Sequence, residues 1–316
     1  MTRTALILGA TGGFGGAMAE ALWNAGWRVR QFDRKTDDLA TAAQGVDIIV
    51  NGWNPSYEHQ AAQVPILTQK VITAAKANGA RIVIAGSIYG YGAGSAPALT
   101  ESTPMRATNT LGRSRIEMEE AYRTSGVSFL ILRAGDFLGT SSGNRWFDTL
   151  IAGKLAKGRI AYPGDLDAPH AWAFLPDVAR AGVQLLDRTD LPKQIALPVA
   201  GMTLTGRQLA TALSDVTGRK IKARRMAWWP FRLASLVWPL GRHLVEMRYL
   251  WSMPHWLDPS PLETWLPNFT PTPLHEALAA SHPVNTLITD PAANQDQPRQ
   301  AHGGLPLPQA SPALAK

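Results

Sequence analysis

Short apolar runs alternate with longer amphipathic stretches through the first half of the chain. The runs at 4–9, 27–32, 46–51, 81–86 and 128–133 have strand length. Those at 13–25, 60–78 and 108–125 have helical length and spacing. Strands separated by helices predict a parallel sheet covered on both faces. After Leu132 the pattern loosens. A loop, Gly135–Gly143, leads to a helix expected at 146–157, a Pro/Gly/Asp/His-rich segment at 162–170 and a helix starting near Pro176-Asp177, with Asp177 as its cap. A short strand, Ile195–Ala200, follows. Then comes a helix, Thr205–Thr217, with Thr203 or Thr205 as N-cap and Gly218 as its stop.

The first strand runs straight into a glycine ladder, Gly9-x-x-Gly12-x-x-Gly15, that opens the first helix. Strand, tight turn and helix N-terminus in that order make a pyrophosphate site. Gly9 allows the turn, Gly12 lets the backbone approach phosphate, and Gly15 lets helix and strand pack closely. Asp33-Arg34 ends the second strand. An acid at Asp33 would accept from the adenosine ribose hydroxyls and favour NAD; Arg34 and Lys35 could bind a 2′-phosphate and favour NADP. Both cofactors stay open.

Composition narrows the class. The chain has 316 residues, 45% apolar and 17% charged, as a compact enzyme would. With no cysteine, disulfides, thiolate metal sites and cysteine nucleophiles are excluded. The net charge of +7 is modest for this length and does not argue for nucleic acid. No apolar run reaches the ~18 residues of a membrane span, and the first strand begins at once, so a cytoplasmic protein is expected. No His/Asp/Glu cluster has metal-ligand spacing, and no metal is expected. Oligomeric state is left open.

Several motifs together resemble the extended and atypical short-chain dehydrogenase/reductases, the group of NAD(P)-dependent sugar epimerases and dehydratases. They are Gly9-Ala-Thr-Gly-Gly-Phe-Gly15, Asp33-Arg34, Asp47-Ile-Ile-Val-Asn51, Ile82-Val-Ile-Ala-Gly-Ser-Ile-Tyr-Gly90, Leu132-Arg-Ala-Gly-Asp-Phe-Leu-Gly139 and Phe174-Leu-Pro-Asp-Val-Ala-Arg-Ala181. The resemblance spans about residues 1–280. It implies an α/β fold: a Rossmann-type doubly wound parallel sheet with a smaller C-terminal substrate lobe. Residues 1–145 would form the NAD(P)-binding domain, with 195–200 adding to its sheet; 146–282 would form the lobe, and 283–316 a disordered tail poor in large apolar residues. The implied cofactor contacts are Gly9, Thr11, Gly12, Gly13, Phe14, Gly15, Asp33, Arg34, Asn51, Gly52, Ser87 and Arg115.

In that family a Ser or Thr after strand 4 works with a Tyr-x-x-x-Lys pair on the next helix. Ser87 fits the first position, though it also fits a turn cap. In Asn109-Thr-Leu-Gly-Arg-Ser-Arg-Ile-Glu117 the Tyr position is Leu111 and the Lys position is Arg115. Leucine cannot transfer a proton, and arginine keeps its charge without exchanging one near neutrality. Two functions therefore remain: an oxidoreductase, epimerase or dehydratase acting on a small molecule with another acid, or a non-catalytic NAD(P)H-binding sensor or scaffold. Candidate acids are Tyr89 and Tyr91, beside Ser87. Asp136, His170 and Trp172 are candidate substrate contacts; each has a structural alternative as loop cap or core residue.

Six of the eleven tryptophans fall in 219–266, and no acidic residue lies between Asp215 and Glu246. This reads either as a lobe packed by aromatics with a solvated basic face, or as a peripheral membrane or anionic-ligand patch at 224–245.

Overall fold

The computed structural model describes residues 2–290. In chain order its strands are β1 (Thr4–Leu8), β2 (Arg28–Phe32), β3 (Ile48–Asn51), β4 (Arg81–Ser87), β5 (Ala98–Leu99), β6 (Phe129–Ala134), β7 (Asp136–Leu138), β8 (Arg159–Tyr162), β9 (His170–Phe174), β10 (Gln194–Pro198), β11 (Met202–Leu204), β12 (Lys222–Arg225) and β13 (Trp256–Leu257). Six of them form one parallel sheet, ordered β10-β6-β4-β3-β1-β2. The order reverses at β1, which has β2 on one side and β3 on the other. Ligands of open α/β sheets bind at such a reversal, beyond the carboxyl ends of the strands.

The helices are α1 (Gly13–Asn24), α2 (Leu39–Ala42), α3 (Tyr57–Asn78), α4 (Thr110–Ser125), α5 (Leu175–Leu186), α6 (Gly206–Thr217), α7 (Trp229–Ala234), α8 (Pro239–Met247), α9 (Ser260–Trp265), α10 (Leu274–Ala280) and α11 (His282–Thr289). Alternation along the strands splits the sheet core in two. Ala5, Ile7, Val50 and Leu130 share an apolar cluster with Met18 and Leu22 of α1 and Val178 of α5. Leu6, Leu8, Ile49 and Ile131 share another with Val64 and Val71 of α3 and Met118 of α4. A third apolar cluster is built on Trp172, Trp251, Phe147 and Tyr162 and takes in Ile88, Tyr91 and Leu111 from the first half of the chain.

The sheet strands lie within two residues of the expected ones. Thr205 is the N-cap of α6, in a capping box with Gln208, and Gly218 ends the helix at φ +64°. Three expectations differ. The helix expected at 146–157 is a π-turn, Phe147–Ile151, followed by a 3₁₀ stretch, Ala152–Lys157, with Lys154 at non-helical φ −122°; Gly153 in its middle weakens a regular helix. Asp177 does not cap α5, whose N-cap is Phe174. Its carboxylate instead accepts from the Thr272 N–H (2.8 Å) and hydroxyl (2.7 Å). Finally, the boundary at 283 falls too early. Residues 283–289 belong to α11, whose Val284 and Leu287 are buried in the apolar cluster around Trp172 and Trp251. Two apolar side chains on one helical face suffice where a packed neighbour is waiting. The rest of the expected tail, 291–316, lies outside the described residues.

Candidate active site

A cleft of about 670 Å3 opens over the carboxyl ends of β1, β3, β4 and β6. Register makes it: β1 and β3 end level at Leu8 and Asn51, opposite Ile84, while β4 and β6 run on three residues to Ser87 and Ala134, leaving a step over the shorter pair.

At one end lies the glycine turn. Gly9 sits at φ +77°, a left-handed conformation that favours glycine, and accepts from the Gly12 N–H at 2.9 Å. A Cβ on Gly15 would come within 2.3 Å of the Gly9 carbonyl oxygen, and one on Gly52 within 2.7 Å of the Leu8 carbonyl oxygen. Gly9 and Gly15 thus work beneath the surface as packing glycines, while Thr11, Gly12, Gly13, Phe14 and Gly52 line the cleft. The first turn of α1 carries no side-chain cap and no acid, so its free N–H groups suit an anion. Arg145, ion-paired with Asp148 at 2.5 Å, lies at the same mouth: a Cβ on Gly13 would meet its guanidinium at 3.1 Å. Asn51 lines the cleft too, but its amide is already engaged, donating to the Tyr122 hydroxyl (2.9 Å) and accepting from the Trp53 N–H (3.2 Å). Asp33 and Arg34 stand on an exposed turn after β2, outside the cleft lining, and the Asp33 carboxylate accepts from the Lys35 N–H at 2.9 Å. An uncapped helix end, a glycine turn and an adjacent cation fit a dinucleotide pyrophosphate.

At the other end three polar groups meet. The hydroxyls of Tyr57, at the start of α3, and Tyr89, just past β4, lie 2.8 Å apart. Trp146 Nε1 donates to both, at 3.2 Å each. Burial pushes both phenols above their ordinary pKa, Tyr89 well above, and the Asp136 carboxylate pushes the same way. Both stay protonated near neutrality. The proton count follows. One phenolic proton is used between the two oxygens, and the other is left to donate elsewhere.

Arg115 of α4 also lines the cleft, donating to Asn54 Oδ1 at 2.6 Å. Burial lowers its pKa, and the nearby phenols of Tyr89 and Tyr57 pull it back up. Leu111 is fully buried in the apolar cluster around Trp172 and Trp251. The position where the resemblance expects a phenol is therefore closed to the cleft. Ser87 lines the cleft and at the same time caps the next turn, its Oγ accepting from the Tyr89 N–H at 3.0 Å.

Asp136 lines the cleft, and its Oδ2 meets His170 Nε2 at 2.7 Å. His170 itself is buried below, its ring stacked on Trp251 at 4.0 Å between centroids. Three candidates are therefore corrected. His170 reaches the cleft only through Asp136. Trp172 is a core side chain, edge-on to Phe147. Tyr91 is buried and turned away, its hydroxyl donating to the Thr100 carbonyl at 3.4 Å, with Arg133 over its ring. The apolar neighbours of these side chains outweigh any pull toward the cleft. Tyr57, Trp53, Asn54, Arg145 and Trp146 are the residues the sequence did not mark.

A profile of the NAD dependent epimerase/dehydratase family matches residues 5–197. No curated protein matches the chain in sequence. Among solved structures, the chain is similar to MoeE5 in complex with UDP-glucuronic acid and NAD, at 18% identity and TM-score 0.68, covering 88% of this chain and 97% of that one. It is similar to UDP-glucuronic acid 4-epimerase from Bacillus cereus, in complex with UDP-glucuronic acid and NAD, at 15% identity and TM-score 0.69, covering 89% and 98%. A triphenylmethane reductase from Citrobacter sp., complexed with NADP(H), matches at 18% identity and TM-score 0.63, covering 87% and 98%.

Proposed function

We propose that this chain, which belongs to the NAD-dependent epimerase/dehydratase family, is an oxidoreductase in which the paired phenols of Tyr57 and Tyr89 replace the family's usual acid. The observation that carries this reading is the proton left over in the Tyr57–Tyr89–Trp146 triangle. The nicotinamide cofactor, when bound, supplies or accepts the hydride. In the reducing direction the free phenolic proton goes to the substrate's carbonyl oxygen as that oxygen gains the electron pair of the C=O bond. The second phenol, through its hydrogen bond, disperses the charge left on the first. Arg115 supplies positive charge beside both oxygens and holds Asn54. Asp136, fixed by His170, accepts a hydrogen bond from a substrate hydroxyl. In this reading residues 1–145 with β10 hold the cofactor, and residues 146–290 shape the substrate side of a cytoplasmic enzyme.

The substrate is a small hydroxylated carbonyl compound or its alcohol. Nucleotide sugars are one class to try, since MoeE5 and the Bacillus cereus epimerase were solved with UDP-glucuronic acid. The test is to bind NADH and NADPH to purified protein, then follow their oxidation against carbonyl and nucleotide-sugar panels. Turnover that falls in Tyr89→Phe or Tyr57→Phe supports the proposal. Tight cofactor binding with no turnover of any class favours the sensor or scaffold reading instead.

Residues 224–245 add a peripheral contact with an anionic membrane to this reading. Trp229 and Leu233 are exposed on α7 beside Arg232. Among the described residues no helix is long and apolar enough to cross a bilayer.

A further inference from the structure

A second cavity, of about 460 Å3, shares no lining residue with the cleft. Lys154, Arg159, Arg224 and Arg225 line it together with Ile160 and Phe231, and no acidic side chain does. Arg225 is held by Asp165 at 2.9 Å. Lys154, Arg159 and Arg224 form no ion pair among the described residues. Arg159 and Arg224 come from β8 and β12, which pair side by side, so the cations are carried by sheet. The cavity is therefore a cationic recess with an apolar wall, shaped for an anionic head on an apolar body.

The apolar body has a place to go. Phe231 lies on α7, and its ring stacks on Trp238 at 6.5 Å. Around it the α7–α8 turn exposes Trp229 (68%), Leu233 (61%), Leu236 (77%), Val237 (89%) and Trp238 (40%). Among the described residues these five make up most of the large apolar side chains left in solvent. A contiguous patch of this kind marks an interaction surface. Tryptophan beside arginine suits the boundary between headgroups and acyl chains. The charge complementarity selects an anionic lipid layer.

We propose that the cavity binds the phosphate of an anionic phospholipid headgroup while the α7–α8 turn enters the acyl boundary, so that the protein docks on an anionic membrane with one lipid in a built site. The proposal rests on the membrane-contact reading above, and its test separates the two.

Co-sedimentation with phosphatidylcholine vesicles, with and without phosphatidylglycerol, is the measurement. The wild-type protein is expected to bind only the phosphatidylglycerol vesicles, less so as salt is raised. Leu236→Asp with Val237→Asp should lose that binding. Lys154→Gln with Arg159→Gln should weaken it by about thirtyfold, the effect of two cations at the surface. Lys220→Gln with Lys222→Gln, the same charge change outside the cavity, should weaken it by a clearly smaller factor, since neither side chain lines the cavity. All variants should keep the wild-type melting temperature and NAD(P)H affinity. Failure of the wild-type protein to sediment would overturn the membrane contact and the site together. Equal losses in the two Gln pairs would keep the contact and overturn the site. If glycerol phosphate alone competes as well as the lipid does, the site takes a soluble phosphate and the lipid assignment falls. If the Asp pair turns a dimer into a monomer and the wild-type protein ignores vesicles, a second copy covers the patch and the proposal is overturned.

Discussion

The hydroxyls of Tyr57 and Tyr89 lie 2.8 Å apart beneath a single indole N–H. One comes from the start of a helix that begins the third crossover, the other from the loop after β4. Leu111, on the helix that follows, is fully buried and offers no hydroxyl.

Tyr89→Phe and Tyr57→Phe each remove one oxygen and almost no volume. If this pair supplies the proton, at least one variant should lose on the order of 10²-fold in turnover with NAD(P)H affinity unchanged. Steady-state rates beside calorimetric binding would show it. Full activity in both variants would move the acid elsewhere. Tyr91→Phe, whose hydroxyl faces Thr100, should leave turnover unchanged.

Placing Leu111→Tyr with Arg115→Lys rebuilds the family's motif in sequence only. Leu111 is fully buried, so the added ring overpacks the apolar cluster around it at a cost of about 1–3 kcal/mol. The double variant is expected to melt lower and gain no reductase activity. A gain of activity would mean that the helix face turns more freely than its packing allows.

Two glycines should separate binding from folding. Gly12→Val puts a branched side chain at the lip of the cleft, where its Cβ meets the Gly9 carbonyl at 3.2 Å. It should abolish dinucleotide binding in calorimetry and leave most of the stability. Gly15→Ala puts a Cβ within 2.3 Å of backbone, so it should lower the melting temperature itself.

Ending the chain at Ser281 removes α11; ending it at Asp290 keeps it. Val284 and Leu287 are each worth about 1.5–3 kcal/mol when buried. The shorter chain should therefore melt well below the longer one in a side-by-side thermal scan. Equal melting temperatures would show that α11 contributes nothing.

Burial, helped by the neighbouring His170, lowers the His255 pKa to about 3, from an ordinary value of 6.5. The folded state thus favours neutral imidazole. Its contribution is fully present above pH 6.5, falls as the pH drops, and is gone below about 3. The size of the effect is on the order of 5 kcal/mol. His255→Asn should flatten the loss of stability over that window in urea titrations at stepped pH. An unchanged slope would place the acid sensitivity at another group.

The glycine turn and the sheet strands were legible because each is written in consecutive residues with one period. The phenol pair was only half legible. Tyr89 stands beside Ser87, but Tyr57 and Trp146 join it from distant segments, and Trp146 opens a stretch that reads as a plain helix. His170 and Trp172 looked like cleft residues by their neighbours in sequence. Alternation along β9 would allow either face, and the aromatic core took both. The α11 helix was hidden by composition, since Pro283 and short polar residues surround its two buried side chains.

The strand β10 pairs with β6, yet β7, β8 and β9 are translated between them. While the ribosome makes those segments, one edge of β6 stays open to any passing strand. That edge of β6 is covered only when 194–198 emerge, and the last packing contacts come later still, from Thr272 on Asp177 and from α11. The nascent protein therefore carries its nucleotide half nearly finished, with β6 unpaired on one side, until Gln194–Pro198 are made. That is the interval in which a chaperone, or an early-bound cofactor, would most raise the yield of active chain.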